Sequence, residues 1–327
     1  MPMLNAFFPL LTTVLSPGGD RGRLTIVMYH RVLERSDPLA PYTPDAEVFD
    51  CHMATLANGF NVLPLSEAIE RLVKRSLPPR AACITFDDGY RDNFTVASPV
   101  MQRYGLPATI FVSTGFLDGG RMWNDSVIEA VRRASGTSIS AESLGLGIHP
   151  IATHTERGQA IHKLLDQLKY LPFSERLARV DQLCALIGAQ LPTDLMLSTP
   201  EVIAARQANI EIGAHTVNHP ILTQIDDRQA RSEMAESKAH LEGILKEKIL
   251  LFAYPNGRPD RDYAMRHAQM AKEVGFKMAV STASGAASPT SDLFQLPRYA
   301  PWDKLRSRLQ LRLLQNIWRS APNPAYS

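Results

Sequence analysis

Two adjacent carboxylates, Asp87 and Asp88, and a histidine pair, His215 and His219, are the residues of this sequence best suited to chemistry. The carboxylates lie in Thr85-Phe86-Asp87-Asp88-Gly89-Tyr90, directly after the apolar run Ala81-Ala82-Cys83-Ile84, and so fall at the end of an expected buried strand. Side by side without a counter-charge, two carboxylates repel, and one is driven to take up a proton. A bound cation removes that conflict. Taken alone, the stretch could equally be a turn that caps a following helix, so a second element has to decide. It is His215-Thr216-Val217-Asn218-His219, at the end of the alternating run Asn209-Ile210-Glu211-Ile212-Gly213. Histidines four apart share one face of a helical turn, which brings their ring nitrogens within reach of one ion. One aspartate and two histidines, each delivered from a strand's C-terminal end, make a three-ligand site with an open position. Such openness marks catalytic rather than structural metal sites. With Asp88, His215 and His219 as ligands, Asp87 is free to act as a base on water.

The elements that must position these groups alternate along the chain. Residues 23–30 read as a buried first strand ending in His30, and a loop with Pro38, Pro41 and Pro44 follows. A helix is expected over 48–58, and Ser66 is expected to N-cap another over 67–75. After the Asp87–Asp88 strand come a helix over 93–104 disturbed by Pro99 and a strand over 108–112. Beyond the histidine motif, helices over 226–246 and 263–273 alternate with strands over 249–254 and 278–281. Strands alternating with helices, with the chemistry at strand C-termini, is the organisation of a (β/α) barrel.

Three stretches stand outside that rhythm. Residues 121–198 run from Arg121-Met122-Trp123-Asn124-Asp125 through a helix, a Ser/Gly-rich loop and amphipathic segments at 158–170 and 174–186. They read as a helical insertion without enough apolar sequence for a core of its own. Within it Asp125 either orients a catalytic group or, the preferred reading, caps its helix, and His149, His154 and His162 are expected to be surface or core histidines without function. Residues 1–22 are expected to form a docking segment: their apolar run is interrupted by Pro9, has no Lys or Arg before it, and leads into a poor cleavage context, so no signal peptide is read there. In 303–327, together with Trp302, the residues Leu305, Leu309, Leu313 and Ile317 recur at helical spacing among Lys304, Arg306, Arg308, Arg312 and Arg319. This is a basic amphipathic helix that packs on its own domain or lies on an anionic membrane surface.

The motifs Thr-Phe-Asp-Asp-Gly-Tyr, His-Thr-Val-Asn-His, Phe252-Ala253-Tyr254-Pro255-Asn256-Gly257 and Leu296-Pro297-Arg298 resemble, in that order, those of the polysaccharide deacetylases, carbohydrate esterase family four. The resemblance spans residues 24–302. It implies an α/β fold, a distorted (β/α)7 barrel carrying the helical insertion. It also implies a divalent metal (Zn2+, with Co2+ or Ni2+ also suited) and removal of N-acetyl groups from the amino sugars of a polysaccharide. Two departures matter. Many relatives carry Arg at the position of Ala253 and Tyr at that of Asn256. A backbone N–H near Asn256 can still hold an oxyanion; the arginine's pairing with the base passes to Arg298, unless Arg298 is only a surface ion pair. The last motif lacks the family's acid histidine, and His30 takes that place, as in relatives that deacetylate biofilm exopolysaccharides. Tyr254 and Trp123 complete the candidate substrate contacts, Trp123 either walling the sugar pocket or anchoring the insertion.

Composition narrows the remaining classes. At 327 residues, 45% apolar and 21% charged, the chain can bury a large core. A net charge of +2 gives no reason to expect nucleic acid as a partner, so the expected partner is an N-acetylated polysaccharide or oligosaccharide. Three widely spaced cysteines, Cys51, Cys83 and Cys184, build no disulfide framework. A location in the cytoplasm or at the periphery of the inner membrane is expected. An amide hydrolase acting on a small nitrogenous compound, and a non-catalytic glycan-binding protein that keeps the metal, are the alternative functions.

Overall fold

A ring of parallel strands carries the site. The structure, a computed structural model, describes residues 2–319 and 325. Strand β1 (Thr25–Tyr29) pairs in parallel with β3 (Ala81–Phe86), and both are buried along their whole length. That explains why neither alternates in sequence: helices cover the outside and side chains fill the inside. The short β2 (Asn61–Val62) takes the first half of β3's other edge and β4 (Thr109–Val112) the second half. A small antiparallel hairpin, β5 (Ser138–Ala141) with β6 (Gly147–Pro150), stands apart. The ring continues from β4 to β7 (Glu211–Ala214), β8 (Leu251–Ala253) and β9 (Met278–Val280), all parallel.

Residues 296–299 close the ring. Leu296 bridges Val280 of β9, and Tyr299 bridges Val27 of β1, both in parallel sense. Tyr299 N–H donates to Ile26 O and Met28 N–H to Tyr299 O, each at 2.8 Å. Six strands and this segment give the seven positions of a distorted (β/α)7 barrel.

The helices are α1 (Pro2–Leu15), α2 (Ala46–Gly59), α3 (Leu65–Val73), α4 (Ser98–Arg103), α5 (Trp123–Arg133), α6 (His154–Lys169), α7 (Phe173–Ile187), α8 (Thr199–Gln207), α9 (Asp227–Leu245), α10 (Met265–Val274) and α11 (Arg306–Trp318). Ser66 does not cap α3. The helix starts at Leu65, two residues earlier than expected, and Glu211 of β7 accepts from Leu65 N at 2.7 Å and Ser66 N at 3.2 Å. A carboxylate supplied from a distant strand thus meets the positive end of the helix, which local sequence could not show. The helix expected over 93–104 is a π turn over 93–97 running into α4, where Pro99 sits in the first turn and its missing N–H costs nothing.

The terminal helices dock on the barrel. Phe8 of α1 is fully buried, lies edge-on to Phe60, and fills the space that a Cβ on Gly59 would need. In α11, Leu309, Leu313 and Ile317 enter the main core, whereas Trp302 and Leu305 stay exposed. The apolar stripe read from the sequence is therefore used against the chain's own domain. Among the described residues no helix is long and apolar enough to cross a membrane. The insertion differs from expectation: Val127, Val131, Ile139, Leu164, Leu168, Val180 and Leu183 form a separate apolar cluster. These residues are scattered over α5, the β5–β6 hairpin, α6 and α7, so no single stretch of sequence reads as a core.

Candidate active site

Asp88 and Gly89 both adopt left-handed backbone, φ 76° and 84°, and turn the chain sharply at the end of β3. Glycine suits the second position, because an added Cβ would press on Val112 at 3.1 Å. The turn aims Asp88 Oδ1 at His215 Nε2, 3.4 Å away, and His219 Nε2, 3.3 Å away. One donor atom from each residue falls within 4.8 Å of the others. His215 Nδ1 donates to Ala253 O at 2.7 Å, which in the neutral ring leaves the Nε2 lone pair facing Asp88. Asp88 Oδ1 and His219 Nδ1 are buried with no hydrogen-bond partner among the described residues. Buried polar atoms are rarely left so, and an Asp-His-His donor set with an unsatisfied oxygen at its centre fits a divalent cation.

The histidines do not converge on a helix, as the four-residue spacing suggested. Residues 215–219 are a loop after β7 in which Thr216 and His219 take φ 66° and 52°. Glu233 of α9 holds that loop by accepting from Val217 N, Asn218 N and Asn218 Nδ2, each at 2.8 Å. Burial pushes His219 down to about 3. Burial would do the same to His215, but the carboxylates of Asp88 and Asp87 beside it outweigh that and raise it. Asp88 is held below the usual carboxylate range, the two histidines overcoming its burial.

Asp87 faces a different partner. Arg298 Nη1 and Nη2 donate to its two carboxylate oxygens, both at 2.7 Å, and Arg298 Nε donates to Ser281 O at 2.8 Å. The side chains of this pair are 0% and 3% exposed, so it is no surface ion pair. Burial alone would raise the Asp87 pKa; the Arg298 charge, its hydrogen bonds and His215 overcome burial and lower it. Ala253, where many relatives carry arginine, contributes only its carbonyl to His215.

Asp87, Asp88, His215 and His219 line one cavity of about 340 Å3 together with His30, Trp123 and Asn256. His30 is exposed at the end of β1, so it is not a core histidine. Trp123 lines the cavity and also lies under the Arg176 guanidinium at 5.1 Å. Asn256 takes φ 58°, and its N–H has no partner among the described residues. Tyr254 is a correction. It is fully buried, stacked on Tyr263 with ring centroids 4.0 Å apart, and its hydroxyl donates to Phe294 O. One residue of strand register turns it into the core, away from the cavity.

Several residues at the site escaped the sequence reading. Asn93 Nδ2 donates to His30 O at 2.7 Å, and Asp92 accepts from Arg31 Nε at 2.7 Å and Val32 N at 3.1 Å, so the pair following the Asp87–Asp88 motif pins the His30 segment. Asp125 caps nothing; it accepts from Tyr90 Oη at 2.8 Å and is pushed up to about 7, mainly by burial. His162, set aside from sequence, lines the cavity with Asp166 and Lys169. Only adjacency to the motif could have flagged Asp92 and Asn93; nothing local marks His162.

The profile of the polysaccharide deacetylases matches residues 74–279. The chain belongs to the polysaccharide deacetylase family. It is a hydrolase of that family, and the Asp88–His215–His219 cluster is its possible metal site. It is 26% identical over 278 residues to YxkH of Bacillus subtilis (strain 168), whose own assignment as a polysaccharide deacetylase is provisional; the match covers 84% of this chain and 70% of YxkH. Among solved structures the fold is similar to the Streptococcus pyogenes deacetylase PplD, with TM-score 0.59, 22% identity, and 90% and 98% of the two chains covered. The de-N-acetylase of Aggregatibacter actinomycetemcomitans gives 0.57, 16%, 89% and 99%. IcaB of Ammonifex degensii gives 0.56, 18%, 90% and 98%.

Proposed function

We propose that this polysaccharide deacetylase removes N-acetyl groups from the amino sugars of an exopolysaccharide, with Asp87 as base and His30 as acid. The observation that carries the reading is the division of the two adjacent carboxylates. Asp88 faces two histidines, whereas Asp87 is held in its ionised form by Arg298 within the same cavity. When bound by Asp88, His215 and His219, a divalent ion, zinc first and cobalt or nickel as alternatives, supplies Lewis acidity for the attacking water and the amide carbonyl. Asp87 accepts the proton of that water on a carboxylate oxygen, each of which keeps a lone pair beyond its bond to Arg298. The Asn256 N–H donates to the carbonyl oxygen as it gains negative charge. His30 delivers a proton to the departing nitrogen, since an amine anion is too basic to leave. Trp123 offers an apolar wall to the sugar ring.

A polymer needs an open approach. The rim residues His162 and Asp166 have side chains 79% and 67% exposed, which suits a chain lying across the cavity better than a small molecule sealed inside it. The test is acetate release from a panel of N-acetylated polysaccharides, using chelator-stripped protein reloaded with zinc, cobalt or nickel, beside Asp87→Asn. Release that depends on both metal and Asp87 is expected. Release from no polymer in the panel, or release that Asp87→Asn leaves intact, defeats the reading.

A further inference from the structure

We propose that a second cavity beside the active site binds carboxylate-bearing sugar residues, so that the substrate is an acidic glycan in which uronic acids neighbour the N-acetylated units. This rests on the deacetylase reading above and names its substrate class. The cavity, of about 580 Å3, lies between residues 298–302 and α11, and four arginines line it, Arg298, Arg308, Arg312 and Arg319, with no Asp or Glu among the described residues. Arg298 is neutralised by Asp87 and Arg312 by Asp303 at 3.1 Å. Arg308 and Arg319 are exposed and have no acidic partner among the described residues. The chain as a whole carries only +2, so this concentration of cations is local.

A concave surface of one sign focuses its field and raises the local concentration of the opposite charge. Guanidinium groups favour carboxylates, which their planar fork matches. Beside them Trp302 is 57% exposed, with Arg312 held 5.4 Å from its ring centre, a flat platform of the kind that takes the apolar face of a sugar. The two cavities adjoin: Thr282 lines both, and Arg298 reaches from Asp87 to the second. A glycan chain with its acetamide beside Asp87 therefore places a neighbouring unit against these arginines. A neutral amino-sugar polymer brings nothing for Arg308 and Arg319 to meet.

The experiment compares metal-loaded enzyme on two size-matched sets of oligosaccharides, one of N-acetylglucosamine alone and one alternating N-acetylglucosamine with glucuronate. The acidic set is expected to show kcat/KM about tenfold higher at low salt, the effect of two exposed charges, and the advantage should shrink as salt is added. Arg308→Gln with Arg319→Gln should remove most of that advantage, while Lys272→Gln, remote from the cavity, should not. Where the enzyme deacetylates either set, no advantage for the acidic one, or an advantage that the double variant keeps, overturns the proposal. Binding to the metal-loaded Asp87→Asn protein, read by quenching of tryptophan fluorescence with Trp302→Phe as the control, separates this from the catalytic reading. Quenching by the acidic set that needs Trp302, Arg308 and Arg319 supports the cavity's assignment even if neither set is deacetylated. Quenching only by vesicles containing anionic phospholipid assigns the surface to a membrane and overturns it.

Discussion

Replacing Arg298 by methionine tests the electrostatic core of this site. The wild-type guanidinium donates twice to Asp87 in a setting where neither side chain sees solvent. Removing one partner of such a pair typically costs about 3–5 kcal/mol, because the other charge is stranded. The sign of the accompanying shift follows from the opposing causes: burial raises the Asp87 pKa and Arg298 overcomes it, so without Arg298 burial is left to dominate. Each unit of upward shift is worth about 1.4 kcal/mol. In the wild type, the pair's stabilisation is fully present above the unfolded carboxylate pKa of about 4 and is lost as pH falls through the lower folded value.

Arg298→Met should therefore lose rate at neutral pH by about 10²-fold or more, as the base becomes protonated, and recover part of it as pH rises. Acetate release against pH, at fixed metal loading, reads that shift of the acidic limb. Arg298→Lys keeps a charge but not the fork and should fall between. Thermal melts supply the second readout: Arg298→Met with Asp87→Asn should be more stable than Arg298→Met alone, since no charge is then stranded. An acidic limb that stays where it was, or a double variant no more stable than the single one, would refute the pairing as the source of Asp87's ionisation.

Asp88→Ala, His215→Ala and His219→Ala should each sharply lower bound metal, measured by elemental analysis after dialysis, whereas Asp87→Asn should keep the metal and lose activity. His30→Ala should keep fold and metal, lose about 10²–10⁴-fold in rate, and lose the basic limb of the pH profile, where a protonated imidazole is required; an unchanged profile removes His30 from the reaction. Leu313→Ala, in the part of α11 that enters the main core, should cost about 2–5 kcal/mol in denaturant unfolding, and a cost near zero would mean that α11 is not part of the fold's core.

The barrel could be read from sequence because its information is local. Strands such as 81–86 are short apolar runs, each ends in the residues that matter, and the amphipathic helices between them repeat on their own period. What stayed hidden depends on residues far apart in the chain. Glu211 caps α3 across 146 positions, and Glu233 rather than helical geometry sets the loop that joins His215 to His219. The four-residue spacing did indicate that the rings meet, with centroids 4.8 Å apart, but for a different reason from the one the spacing suggests. The error at Tyr254 has the same root: which face a strand residue presents is decided by register, and a motif read as letters carries no register.

The origin of Arg298 gives the site a coupling that a motif comparison does not show. Where many relatives place the arginine on the strand bearing Ala253, this chain delivers it from the segment that closes the ring. Arg298 N–H donates to Ala283 O, while Tyr299, its neighbour, exchanges hydrogen bonds with β1 on either side of Val27. Asp87 in turn donates its backbone N–H to Tyr29 O at the end of that same β1. Asp87 and the Arg298 guanidinium are thus fixed on the two ring positions that flank β1, and their 2.7 Å contacts depend on the closing segment staying paired with β1. Loosening that segment would pull the charge away from Asp87 without touching any residue of the metal cluster. The proposed base, Asp87, should accordingly be the part of this site most sensitive to how well the barrel is closed, and the possible metal cluster of Asp88, His215 and His219, anchored at the end of β3 and on the loop after β7, the part least sensitive to it.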